Sequence, residues 1–122
     1  RRELTILLVE DDTTTSRVLT RLLQARGCRV RTATSVASAL TLAQGEDIDL
    51  VVSDIGLPDG TGWDLMRQLR TRGAVKGIAL TGFGLDQDVR QSEEAGFDAH
   101  LTKPVDFLEL EATIQQVASD LS

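Results

Sequence analysis

The chain has 122 residues, 13 of them basic and 19 acidic, for a net charge of −6. That length gives one domain, residues 1–122, with room for a core, and 41% hydrophobic with 26% charged residues is the composition of a folded rather than a disordered chain. The acidic balance argues against direct binding to nucleic acid or anionic lipid, and one cysteine with one histidine rules out an internal disulfide and a His/Cys zinc site.

No apolar run approaches the roughly 20 residues of a membrane span, and no signal peptide is recognisable. The expected compartment is the cytoplasm, with room for a membrane-anchored parent. The chain opens on Arg1 rather than Met, which points to a domain excised from a longer protein.

Five short apolar runs punctuate the chain. They are Leu4–Val9, Cys28–Ala33, Leu50–Ser53, Gly77–Leu80 and Ala99–Thr102, starting roughly 22 to 27 residues apart. Ile6-Leu7-Leu8-Val9 and Leu50-Val51-Val52 are continuous rather than alternating, as strands covered on both faces should be. Helical segments fill the intervals. After the first run, Val18, Leu19, Leu22 and Leu23 form a stripe that Gly27 ends. After the third, Leu65, Met66 and Leu69 do the same before Gly73. The segment Asp86–Glu94 has Val89 as its one large apolar residue, and Gly82 and Gly84 loosen its beginning. It is expected to be among the least stable parts. The last helix carries Leu110, Ile114, Val117 and Leu121 on one face, with Asp106 and Glu109 placed like a capping box. Cys28 reads as a small core residue and Trp63 as helix packing close enough to the site to report on it. Phe83 reads equally as core or as an exposed partner contact. Strands alternating with helices at this spacing predict an α/β fold, a doubly wound, flavodoxin-like (βα)5 unit with a five-stranded parallel sheet in the order 2-1-3-4-5.

In such sheets the site lies beyond the carboxyl ends of the strands, where the strand order reverses. Glu10-Asp11-Asp12 follow the first run, Asp54 the third, Thr81 the fourth and Lys103-Pro104 the fifth, while the bland Thr34 and Ser35 follow the second. Strands 1 and 3 are neighbours in that order, so Glu10, Asp11 and Asp54 should converge. Each carboxylate pair at roughly 5 Å costs about 3 kcal/mol at an effective dielectric of about 20. Lys103, one of only two lysines, supplies a compact opposing charge. A hard divalent cation, Mg2+ rather than a caged Ca2+, supplies the rest. Carboxylate, metal, hydroxyl and lysine together suit phosphoryl transfer, with Asp54 as nucleophile, Asp11 on Mg2+ directly, Glu10 through water, and Thr81 and Lys103 on the phosphoryl oxygens. Each residue alone has a plainer reading. The acidic run can cap a helix, Asp54 can be a turn residue before Gly56 and Pro58, Thr81 a loop hydroxyl and Lys103 a solvated charge. The four together, at the ends of four appropriate strands, are hard to assemble by chance.

These segments resemble a response-regulator receiver domain of two-component signalling, over essentially the whole chain. Ile6-Leu7-Leu8-Val9-Glu10-Asp11-Asp12 is similar to the family's first strand and acidic pair. Asp49-Leu50-Val51-Val52-Ser53-Asp54-Ile55-Gly56-Leu57-Pro58-Asp59-Gly60-Thr61-Gly62 is similar to its phosphoacceptor segment, and Thr81 and Lys103-Pro104 fall on its remaining motifs. The resemblance implies that Asp54 accepts a phosphoryl group from the phosphohistidine of a histidine kinase or histidine phosphotransfer protein, and that the domain catalyses its own phosphorylation and dephosphorylation. It implies Mg2+ held by Glu10, Asp11, Asp54 and the backbone carbonyl of Gly56, a cis Lys103–Pro104 peptide, and a monomer or weak dimer. It also implies a switch in which Thr81 moves and an aromatic residue on the fifth strand reorients. Here that position is His100, a departure that weakens the expected coupling. The stretches Ala79–Gly84 and Glu94–Val105 resemble receivers attached to hybrid histidine kinases; the alternative is a stand-alone or output-linked regulator.

Three rival functions stand beside this one. Thr13-Thr14-Thr15-Ser16 resembles the phosphate loop of a flavodoxin-like cofactor binder, although the adjacent acids would repel the phosphate. An aspartyl-nucleophile phosphatase of the haloacid dehalogenase type needs a second acid where Gly56 stands. A receiver used only for docking is disfavoured because the full set of site residues is present.

Overall fold

The computed structural model describes residues 3–82 and 86–119. The central sheet has five parallel strands: β1 (Thr5–Val9), β2 (Arg29–Ala33), β3 (Leu50–Asp54), β4 (Lys76–Thr81) and β5 (Ala99–Thr102), in the order β2-β1-β3-β4-β5. Five helices connect or follow them: α1 (Thr13–Ala25), α2 (Val36–Gly45), α3 (Gly62–Arg72), α4 (Asp86–Ala95) and α5 (Phe107–Ala118). A two-stranded antiparallel ribbon, Gly56–Leu57 with Gly60–Thr61, lies between β3 and α3.

The continuous apolar strands are buried on both faces, as expected. Ile6, Leu8, Leu50, Val52, Ile78 and Leu80 face one helical layer, which contributes Leu19 and Leu23 of α1 and Leu110 and Ile114 of α5. Leu7, Val9, Val51 and Ala79 face the other, where Ala39 of α2 and Leu65, Met66 and Leu69 of α3 pack together with Ala95 and Phe97 from the end of α4. Alternate residues of a strand point to opposite faces, so a sheet sandwiched between two helical layers needs an apolar residue at every position.

The expected α1 stripe is narrower than its periodicity suggests. Leu19 and Leu23 are buried, but Val18 is 50% and Leu22 37% exposed. Only the i, i+4 row meets the sheet, and the neighbouring row turns to solvent. Helix α1 ends in a left-handed Gly27 (φ 88°), whose N–H donates to Gln24 O while Cys28 N–H donates to Leu23 O. Gly96 (φ 109°) ends α4 with the same pair of bonds, to Glu93 O and Ser92 O. Gly73 ends α3 in extended backbone instead. Cys28 sits just before β2 and is half-buried against the α1/α5 layer, where burial pushes its thiol up. Asp106 caps α5 by accepting from Leu108 N–H, not from Glu109 as a capping box would require. The expectations at Phe83, Gly84 and Leu121 fall outside the described residues. Among the described residues, no helix is long and apolar enough to cross a membrane.

Candidate functional site

Because the strands are parallel, their carboxyl ends share one edge, and β1 and β3 lie side by side. The acids at those ends therefore meet. One carboxylate oxygen each from Glu10, Asp11 and Asp54 lie within 4.8 Å of one another. Glu10 is 1% and Asp54 5% exposed, whereas Asp11 is exposed. Lys103 reaches in from the loop after β5, with Nζ 2.6 Å from Asp54 Oδ1 and 3.0 Å from Glu10 Oε1. The Lys103–Pro104 peptide is cis, as expected, and Lys103 N–H donates to Thr81 O at 2.7 Å.

Asp12, the third acid of the run, does something else. It caps α1, accepting from Thr15 N–H at 3.3 Å and from the Thr15 hydroxyl. The acidic run thus splits between the two readings open to it, two residues in the cluster and one at the helix start. Thr81 is buried at the end of β4, its hydroxyl making a long 3.5 Å contact to Leu101 O. His100 lies on β5 opposite Ala79 and is exposed. Gly56 is exposed at the base of the ribbon, two residues past Asp54.

The electrostatics follow from burying two acids against one lysine. Burial, with the bond shared with Glu10, pushes the Asp54 carboxyl up to about 7 against the pull of Lys103. Burial also raises Glu10, but bonds from Asp54, the Asp12 N–H and Lys103 outweigh it and hold Glu10 below the usual range. Burial works against the charged form of Lys103, and the two carboxylates overcome it and raise the ammonium. One lysine is too little charge for three acids. Lys103 Nζ is shared between Asp54 Oδ1 and Glu10 Oε1, and among the described residues no other donor reaches Glu10 Oε1. Two buried acids sharing one lysine, within a close set of three carboxylate oxygens, are the donor chemistry of a hard divalent cation. The residues present fit one.

Three contacts escaped the sequence reading. A Cβ on Gly62 would lie 2.2 Å from Asp54 O, so only glycine lets α3 begin against the backbone of Asp54; Gly62 N–H also donates to Ile55 O at 2.7 Å. Asp59, at the tip of the ribbon turn, accepts from the Val36 and Ala37 amides at the start of α2. Trp63 packs between helices as expected, but its Nε1–H also donates to the buried hydroxyl of Ser92 on α4 at 2.9 Å. The density of glycines between 56 and 62 is the one signal that pointed to a close approach here.

Comparison with known proteins agrees with this geometry. A family model described as the response regulator receiver domain matches residues 6–115. A 14.6 kDa protein of Leptolyngbya boryana is 36% identical over 117 residues, 93% of this chain and 89% of its own. The KDP operon transcriptional regulatory protein KdpE of Escherichia coli is 36% identical over 110 residues, 90% of this chain and 49% of KdpE. The sensor kinase CckA of Brucella abortus is 34% identical over 116 residues, 93% of this chain but 12% of CckA. The chain thus spans about half the length of a curated transcriptional regulator it matches. Among solved structures, a CheY-like receiver domain protein from Methanospirillum hungatei superposes with a TM-score of 0.91 at 29% identity, over 98% of this chain and 96% of that one. A Burkholderia pseudomallei response regulator, solved with a phosphorylated aspartic acid, a calcium ion and citrate, gives 0.87 at 28%, over 98% of this chain and 71% of that one. The strand order, the buried acid pair with its lysine and the match from residue 6 to 115 agree, and this chain belongs to the response regulator receiver domain family.

Proposed function

We propose that Asp54 accepts a phosphoryl group from the phosphohistidine of a histidine kinase or histidine phosphotransfer protein, in a Mg2+-dependent reaction that switches partner binding. The observation that carries this reading is the position of Asp54: buried, within 4.8 Å of the Glu10 and Asp11 oxygens, and 2.6 Å from Lys103 Nζ. Glu10, Asp11, Asp54 and the backbone carbonyl of Gly56 would hold the ion. Mg2+ is preferred because it takes few carboxylates and keeps positions open for water and phosphoryl oxygens. The ion supplies the positive charge that lets the acids ionise together and offsets charge developing on the phosphoryl group.

The chain's own residues do the rest. An Asp54 carboxylate oxygen bonds to phosphorus as the phosphorus–nitrogen bond breaks, and the released imidazole nitrogen takes a proton from solvent. Lys103 neutralises one phosphoryl oxygen and the Thr81 hydroxyl donates to another. A hollow of about 590 Å3 beside Lys103, walled by Thr15, Val18, Leu19, Pro104 and Val105, gives a partner room to approach. The added charge at Asp54 draws in Thr81 and Lys103, and the thinly anchored α4 and the face of β5 then repack to alter partner binding. His100 is the weakest part of that switch, since its ring stands in solvent.

The test is transfer from a phosphorylated histidine phosphotransfer protein. The wild-type chain gains one hydroxylamine-sensitive phosphoryl group and Asp54→Asn gains none; equal labelling of both overturns the assignment. The match to CckA favours a second reading of context, a receiver within a hybrid histidine kinase, whereas KdpE favours a transcriptional regulator. The reading frame on either side of residues 1–122 decides between them.

A further inference from the structure

The ion site just proposed has two arms that must keep a fixed separation. Glu10 and Asp11 follow β1, and Asp54 and Gly56 end β3 and begin the ribbon. The β1 arm is tied to β2, because Glu10 N–H donates to Ala33 O at 3.0 Å. Two residues later Ser35 caps α2, and its hydroxyl accepts from Ser38 N–H at 3.1 Å. The two amides between are taken by a residue from elsewhere in the chain. Val36 N–H donates to Asp59 Oδ1 at 2.8 Å and Ala37 N–H to Asp59 Oδ2 at 3.0 Å. A carboxylate at a helix N-terminus also gains from the helix dipole, and these two amides hold the Asp59 carboxyl below its usual range.

Asp59 lies on the ribbon turn that starts at Gly56, and the turn packs where Asp59 points. A Cβ on Gly60 would lie 3.3 Å from Val36 Cγ2, and Leu57 packs against the cluster that includes Val36. A closed circuit results, from Glu10 through Ala33 and the start of α2 to Asp59, Gly56 and Asp54. We propose that Asp59 is a positioning residue for the phosphoryl-acceptor site. By docking the ribbon turn on the N-terminus of α2, it sets the separation between Gly56 and the Glu10–Asp11 arm. The inference rests on the metal reading above. It also gives the loop after β2, whose own residues carry no site chemistry, a part in the site.

The test is a MgCl2 titration of the metal-free chain, followed by the backbone amide resonances of Asp54–Gly62. Asp59→Ala weakens Mg2+ binding about tenfold, the low end for loss of a group that orients metal ligands. Asp59→Asn, which keeps one cap acceptor, weakens it about threefold. Ser38→Ala loosens the same helix start without touching the turn and leaves the affinity within about twofold. Asp59→Ala binding within twofold of wild type, or Ser38→Ala binding as weakly as Asp59→Ala, overturns the positioning role alone. A wild-type chain that binds no Mg2+ overturns the metal reading and this inference together.

Discussion

The carboxyl ends of β1 and β3 and the helix α4 are held by different kinds of contact. The strand ends lie between two helical layers, with Ile6–Val9 and Leu50–Val52 fully buried, and their acids are tied to Lys103 and to the backbone of Asp12. Helix α4 buries only Ser92 and Ala95, leaves Val89 half-buried, and is fixed by the Gly96 turn at its end and by the Trp63–Ser92 bond. The clustered acids thus sit on the half held by burial on both faces, and the helix with few buried side chains follows β4, whose end carries Thr81. A change of charge at Asp54 is therefore expected to be read out in α4 rather than absorbed by the sheet.

Hydrogen exchange gives the largest contrast. Amides of Asp86–Ala95 should exchange about a thousandfold faster than those of Thr5–Val9, because α4 can open locally while β1 opens only with the whole fold; equal protection would remove α4 as the moving element. Next, Gly62→Ala should destabilise the chain by roughly 2–4 kcal/mol in urea melts, since its Cβ would collide with Asp54 O and backbone on both sides must shift.

A pH effect follows in chelator. The folded Asp54 carboxyl titrates at about 7, above its ordinary 3.8. Its contribution to stability is therefore complete below pH 3.8 and lost as pH rises through 7. Asp54→Asn escapes that loss. It should be more stable than wild type by about 2 kcal/mol at pH 8, after allowing for the partner Lys103 loses, and by little at pH 4. Mg2+ should shrink the difference at pH 8 by stabilising the wild type more than the variant, which lacks one carboxylate ligand. The smallest effect is at Ser92. Ser92→Ala removes the Trp63 bond at a cost of about 1 kcal/mol, and exchange in α4 should rise severalfold with β1 unchanged.

The sheet was legible because burial on both faces leaves continuous apolar runs, and the convergence of Glu10, Asp11 and Asp54 followed from strand order alone. The width of the α1 stripe was not, because a 3.6-residue period names a face but not how much of it a neighbour covers; hence the exposed Val18 and Leu22. Asp12 shows the limit within one motif, since three consecutive acids look alike in sequence and part company only when α1 begins. Asp59 and Gly62 stood in the sequence only as members of the segment that resembles the phosphoacceptor motif, with no role of their own. Their contacts lie with Val36, Ala37 and Asp54 O, and local pattern says nothing about what a turn packs against. The Trp63–Ser92 bond joins side chains 29 residues apart and left no periodic trace.

If three carboxylates and a lysine make Asp54 a metal-dependent phosphoryl acceptor, acetyl phosphate should label it, and peptide mass spectrometry after that treatment reads the site out. A single phosphoryl group on the peptide containing Asp54, present with Mg2+ and absent both in chelator and in Asp54→Asn, is the predicted result. Labelling at another residue, or labelling of Asp54 that is equal with and without the metal, would contradict it.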